Sequence, residues 1–271
     1  SLILKINQNK TMSLDLIKEV RQITGAGISD VKEALDEAGN DKDKAIEILR
    51  KKGQKIAAKK SDREIKEGVI ATAGEGSKVA VVGLGCETDF VAKNEDFQAA
   101  VKGLAEKLLE MGKDGFTDWA TKYIQDELIV KIGENLNLVM FDILEAKTVG
   151  TYLHSNKKVF SALILSEGSE DIAREVAMHI AAMAPKYLKV EEVATDELDK
   201  EKEIYREQLI KEGKPENMID KILEGKVQKY YTEVCLLKQP FVKDDKKSVE
   251  EYLKDNGIEA DKVEKFVYFS L

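Results

Sequence analysis

The sequence predicts an α+β protein: a small N-terminal three-helix module, duplicated α+β core subdomains with antiparallel sheets, and a protruding antiparallel helical hairpin. Three observations predict it. Apolar residues recur at helical spacing through the N-terminal segment; β-branched hairpin patterns occur twice, each followed by an amphipathic helix; and a densely charged stretch folds about a Gly-Lys-Pro turn. All three prolines, Pro185, Pro215 and Pro240, lie in the C-terminal half, so residues 1–184 carry no proline breaker.

Taken in order, Met12-Ser13-Leu14 reads as a natural start, and residues 1–11 as a processed leader or expression remnant. Residues 12–53 form the three-helix module. Leu14, Ile17, Val20 and Ile23 stripe the first helix, which Gly25-Ala26-Gly27 ends. Ser29 or Asp30 caps the second, carrying Val31, Ala34, Leu35 and Ala38; Asp41 caps the third, which bears Ala45, Ile46 and Leu49 and closes at Gly53. Residues 54–64 are expected to be a charged linker. The first core subdomain covers 65–145. It has strands at 68–73 and 78–84 around Gly74-Glu75-Gly76-Ser77, then a helix from Asp89 with Phe97, Val101, Leu104, Ala105 and Leu108 on one face. Another helix follows at 116–132, around Trp119, Ile124, Leu128 and Ile132, then a strand at 137–145.

The pattern then recurs in a second subdomain, 146–196 plus 236–271. Strands at 149–153 and 159–165 flank a polar turn containing His154, and a helix follows at 170–184. Lys78-Val79 and Lys158-Val159 hold equivalent places in the two hairpins, which argues for duplication. Residues 197–235 read as the helical hairpin, with so few apolar positions that its seam is narrow. A strand beginning at Pro240, a helix at 248–256 and a strand at 263–269 complete the chain.

Composition limits what this fold can do. With 35% charged residues and a formal net charge of −8, the chain is a poor match to nucleic acid, which is held through phosphate neutralisation. The basic run Arg50, Lys51, Lys52, Lys55, Lys59, Lys60 and Arg63 is better read as a solvated face. Cys86 and Cys235 are too few for a disulfide framework or a zinc site and suit a reducing compartment. No apolar run reaches the ~18 residues of a membrane span. His154 and His179 lie apart, without cysteine or histidine partners, and His179 reads as a satisfied core residue. There is no phosphate loop. Gly83-Leu84-Gly85-Cys86-Glu87-Thr88 approaches a dinucleotide-binding turn, but Thr88 stands where the third glycine belongs. No catalytic group, cofactor or metal site is expected.

The sharper signal overlaps that turn. In Cys86-Glu87-Thr88-Asp89-Phe90-Val91-Ala92-Lys93-Asn94, a Thr-Asp pair after a strand can cap a helix. Phe90 in the first turn either staples the helix to the sheet or stands exposed, and the residues alone leave both open.

The string Thr88-Asp89-Phe90-Val91-Ala92-Lys93-Asn94 resembles the signature of the elongation factor Ts family. So do Val20 to Leu35, Met178-His179-Ile180-Ala181-Ala182, and the succession Gly213-Lys214-Pro215, Glu224-Gly225-Lys226 and Gln239-Pro240-Phe241-Val242. The resemblance implies a guanine-nucleotide exchange factor of translation, cytoplasmic or in an organelle matrix, whose partner is elongation factor Tu. No nucleic acid, membrane or small-molecule substrate of its own is implied. The first module would be ubiquitin-associated-like, touching the partner through Arg21, Ile28 and Ser29. Thr88, Asp89, Phe90 and Val91 would dislodge the partner's Mg²⁺, with Phe90 as wedge, and His154 would be a further contact. Asp89 could hold the turn or repel phosphate. Longer family members continue past the last strand with a helical module that this sequence lacks. The competing reading is an adaptor built on the three-helix module, with no exchange activity.

Overall fold

A computed structural model describes residues 14–271, so the expected leader at 1–11 lies outside the described residues. The described chain is mixed helix and sheet and divides into two compact units, 14–73 with 80–143 and residue 271, and 74–79 with 144–270.

In the first unit, α1 (Leu14–Thr24), α2 (Ile28–Glu37) and α3 (Lys42–Lys60) bury Ile17, Val20, Val31, Ala34, Leu35, Ala45 and Leu49. The stripe expected on α1 is narrower than its spacing suggested. Leu14 and Ile23 are 73% and 52% exposed. Four residues repeated at i+3 drift about 60° per step on a helix of 3.6 residues per turn, so the outer two leave the buried face. Asp41 caps α3 as expected, accepting from the Lys44 amide at 3.1 Å. The cap of α2 is instead Gly27, whose backbone alone turns the chain.

The third helix does not close at Gly53. It continues to Lys60, through the segment expected to be a charged linker. Gly53 is buried because a Cβ there would lie 2.4 Å from the carbonyl oxygen of Gln125. This is a glycine of close approach, not of termination. Gln54 donates to buried Asp126 at 2.6 Å, and Ile56 and Ala57 pack on the sheet-bearing core. Part of the basic run is neutralised by ion pairs: Lys51 with Glu47, Lys52 with Asp30 and Glu33, and Arg63 with Glu87.

That core joins β1 (Glu67–Glu75) and β2 (Lys78–Cys86) to α4 (Asp89–Ala92), α5 (Glu95–Met111), α6 (Phe116–Tyr123), a π-helical segment at Ile124–Leu128, α7 (Ile129–Ile132) and β3 (Asn137–Glu145). The whole expected face of α5 is buried: Phe97, Val101, Leu104, Ala105 and Leu108. The helix expected to run on from Asp89 is broken after Ala92, because Asn94 takes an extended backbone and caps α5 with its side chain at 3.0 Å. Gly83 and Gly85 lie inside β2, where a Cβ would strike Met140 and Ile65; the near-fingerprint is strand packing, not a phosphate turn.

In the second unit, β4 (Thr148–Leu153) pairs antiparallel with β5 (Val159–Leu165), which pairs antiparallel with β8 (Val263–Ser270). Helix α8 (Glu170–Met183) packs so near that a Cβ on Gly150 would fall 2.4 Å from Ala173. The hairpin helices α9 (Thr195–Lys211) and α10 (Glu216–Val234) bury only Leu209, Ile219, Val227 and Tyr230, the narrow seam the sequence predicts. At their root the Glu197 carboxylate accepts from Lys186, Tyr187 and Tyr230, which pulls its pKa down to about 2. A short hairpin of β6 (Pro240–Phe241) and β7 (Asp244–Ser248), then α11 (Val249–Asp255) with a Ser248/Glu251 capping box, leads into β8.

The two sheets share one topology. Each is a hairpin whose second strand is flanked by a third strand returning after a helical excursion, in the orders β1-β2-β3 and β4-β5-β8.

Candidate functional site

Strand β2 ends at Cys86, and the next residues make a tight corner into α4. Thr88 caps α4, its hydroxyl oxygen accepting from the Val91 amide at 3.4 Å. Ala92 is buried and Val91 packs on the core beneath, while Phe90 is 82% exposed. This decides between the two readings of Phe90. The residues that fasten the turn are Val91 and Ala92, and the aromatic ring is presented to solvent.

Hydrogen bonds the sequence did not announce hold the corner. Glu134, just past α7, directs one carboxylate oxygen at two backbone amides, Glu87 N at 2.9 Å and Thr88 N at 3.1 Å. Its other oxygen accepts from the Thr88 hydroxyl at 2.6 Å. In return Glu87 accepts from the Asn135 amide at 2.7 Å and from Arg63 at 3.2 Å. The Asn135 amide, with Arg63 behind it, holds the Glu87 carboxyl below the usual carboxylate range. The Asn135 side chain donates to the Arg63 carbonyl at 3.1 Å. Glu134 thus holds the Glu87 and Thr88 amides while Glu87 holds the amide of the neighbouring Asn135, across nearly fifty positions of sequence that local patterning cannot see. The Glu-Asn pair at 134–135 lies just past a glycine-terminated helix, which is the only local hint.

Asp89 pairs with Lys93 one turn along α4, at 2.7 Å. The Lys93 ammonium holds its carboxyl below the usual range.

The expected contacts of the three-helix module flank one turn. Arg21 is exposed in the last turn of α1; Ile28, 49% exposed, and Ser29 open α2. Ile23, assigned by spacing to the buried stripe, is exposed beside the same turn and widens its apolar surface. In the second unit His154 is exposed after β4, its Nδ1 3.0 Å from the Tyr152 hydroxyl, beside a shallow depression lined by Val159, Met178, Ala181 and Val242. His179 is buried. Its Nδ1 accepts from the Val242 amide at 3.1 Å, so the proton sits on Nε2, donated to Gln239 at 2.9 Å. It is a satisfied core histidine.

Among the described residues no group of three or more His, Cys, Asp or Glu side chains is placed to hold a metal ion, and no helix is long and apolar enough to cross a membrane. Fold and corner together define an α+β protein whose candidate site is a displayed side chain rather than a lined reaction centre. The family described as Elongation factor TS matches residues 87–271. Elongation factor Ts of Deinococcus deserti and of Deinococcus radiodurans are each 40% identical over 266 residues, covering 95% of this chain and 99% of theirs. Elongation factor Ts of a Hydrogenobaculum species is 42% identical over 263 residues, covering 91% of this chain and 95% of its own. The chain belongs to the elongation factor Ts family of translation elongation factors.

Proposed function

We propose that this chain is a guanine-nucleotide exchange factor that binds elongation factor Tu carrying GDP, dislodges its Mg²⁺ and promotes GDP release so that GTP can enter. The observation that carries the reading is Phe90, 82% exposed at a corner whose Glu87 and Thr88 amides are held by Glu134. GDP in such a partner is held by a phosphate-cradling loop and by Mg²⁺. The factor needs no chemistry of its own: it must bind the nucleotide-free partner better than the GDP-bound one, and linkage weakens GDP by the same factor. Burying an aromatic side chain is worth about 1.5–3 kcal/mol, and a wedge gains that only where the partner has moved to admit it.

Thr88 shapes the corner, Phe90 enters the partner, and Val91 ties the turn to the core. The Asp89–Lys93 pair favours a turn-holding role for Asp89 over repulsion of phosphate, because its charge is already matched within α4. Arg21, Ile28 and Ser29, with Ile23, form a second contact surface, and His154 a third. Action on a translation factor fits the cytoplasm or an equivalent matrix. An adaptor role for the three-helix module alone would leave Phe90 without a use.

The test is release of labelled GDP from elongation factor Tu with substoichiometric amounts of this chain. Release many times faster than the spontaneous rate is expected. An unchanged rate sinks the proposal.

A further inference from the structure

We infer that Glu134 is a positioning residue for the Phe90 corner: it holds the turn in the one geometry that presents the ring. The inference rests on the exchange-factor reading above.

Thr88 has a single hydroxyl proton to place. A hydroxyl has one proton and two lone pairs. Glu134 Oε1 takes the proton at 2.6 Å, which fixes the rotor and leaves a lone pair for the Val91 amide at 3.4 Å. The cap of α4 is therefore set by a residue far away in sequence. Glu134 Oε2 meanwhile collects the two consecutive amides of Glu87 and Thr88, donors left over where β2 has ended and α4 has not begun. A carboxylate accepts through both oxygens and donates nothing, so its ionised form fits all three donors at once.

Little else could do this work. Helix α4 spans only Asp89–Ala92, too short to hold itself, and its neighbour α5 begins from a separate cap on Asn94. Phe90 adds little to the corner's stability, because its ring is 82% exposed. Glu134 itself is anchored: Gly133 ends α7 in a left-handed turn at φ +78°, and the next residue, Asn135, is buried and bonded to Glu87 and Arg63. A wedge already held in its working geometry loses little freedom on insertion, whereas a loose one must be ordered at that moment.

The consequence is separable from simple folding. In Glu134→Ala the amides of Glu87 and Thr88 should exchange hydrogen much faster in the free chain, with a melting temperature lowered by only a few degrees. At saturating chain, GDP release from elongation factor Tu should slow roughly tenfold. The concentration for half-saturation, set by the other contact surfaces, should hardly move. Glu134→Gln keeps one accepting oxygen but puts a donor against either Thr88 or the amides, so it should fall between; if Glu134→Ala does not fold, Glu134→Gln carries the same comparison.

The deciding measurement is a double-mutant cycle with Phe90→Ala. Once the ring is gone there is nothing to position, so adding the Glu134 substitution should slow release little further. An equal slowing in both backgrounds overturns the inference, as does unaltered protection of the Glu87 and Thr88 amides in either Glu134 variant. A parent chain that fails to speed GDP release overturns the exchange reading and this inference with it. That case is told apart from a failure at Glu134 alone because it shows in the unsubstituted chain.

Discussion

Two strand-to-helix junctions occupy equivalent places in the two sheets, and they are built to opposite ends. After β2, residues 87–91 are braced from outside the junction by Glu134 and Asn135, and an aromatic ring is left in solvent. After β5, residues 166–169 carry no apolar side chain, and hydrogen bonds tie them to the rest of their own unit. The Ser166 amide donates to the Lys262 carbonyl at 2.9 Å, and the Thr148 hydroxyl to the Gly168 carbonyl at 3.0 Å. Gly168 sits at φ +142° with no room for a Cβ against Ile258. One topology therefore yields a junction tied down onto its own unit and a junction that displays an aromatic side chain. The difference is made by the residues that receive the freed backbone donors, not by strand order.

The largest expected effect is at the displayed junction. Phe90→Ala should slow GDP release from elongation factor Tu by about 10- to 100-fold, the equivalent of losing one buried aromatic. Its thermal melting should match the parent's, since an 82% exposed ring supports little. A variant that unfolds, or that exchanges like the parent, would show that the ring is not displayed for the partner.

The tied-down junction should answer the other way. Gly168→Ala forces a side chain into a backbone region that favours glycine and against Ile258, so it should destabilise the chain by about 1–2 kcal/mol. GDP release at a temperature where the variant is folded should be unchanged. A slowed release with intact melting would mean that both junctions serve the partner.

Acid should find the second unit before the first. Burial holds the His179 imidazole below its ordinary range, with the Gln239 hydrogen bond opposing in part. The folded chain then binds fewer protons than the unfolded chain below about pH 6.5, so stability falls as pH drops from there toward the lowered folded value. Glu87 and Asp89, also lowered, contribute above the unfolded carboxylate range and lose that contribution only as pH falls below about 4. Urea midpoints at pH 7.5 and 5.5 should differ, and the difference should shrink in His179→Gln. Equal midpoints at both pH values in the parent would remove the histidine from the account.

The smallest effect belongs to the exposed pair on α4. Lys93→Ala should leave the melting temperature almost unmoved and change exchange by no more than a few-fold, because solvent screens so exposed a bridge. A loss as large as that of Phe90→Ala would show Lys93 touching the partner directly.

The buried face of α5, the two hairpins, the Asp41 cap and the narrow seam of the α9–α10 hairpin could be read from the chain alone, because each is written in residues a few positions apart. So could the Thr88 to Val91 segment as a place to look. Sequence spacing misplaced Ile23 by angular drift and ended α3 at Gly53, where glycine answers to the Gln125 carbonyl rather than to a helix terminus.

By itself the sequence determined most of the helices and strands, though not where α3 ends or where the helix from Asp89 breaks, and which family the segments resemble. Side-chain period and turn chemistry are local properties, and they survive without knowledge of neighbours. Only the tertiary structure decided that Phe90 faces solvent while Val91 and Ala92 face the core, that β8 closes the second sheet against β5, and that Glu134 holds the corner. Each of those depends on which distant group fills a given space or accepts a given proton. Covalent order sets no such pairing until the core has packed.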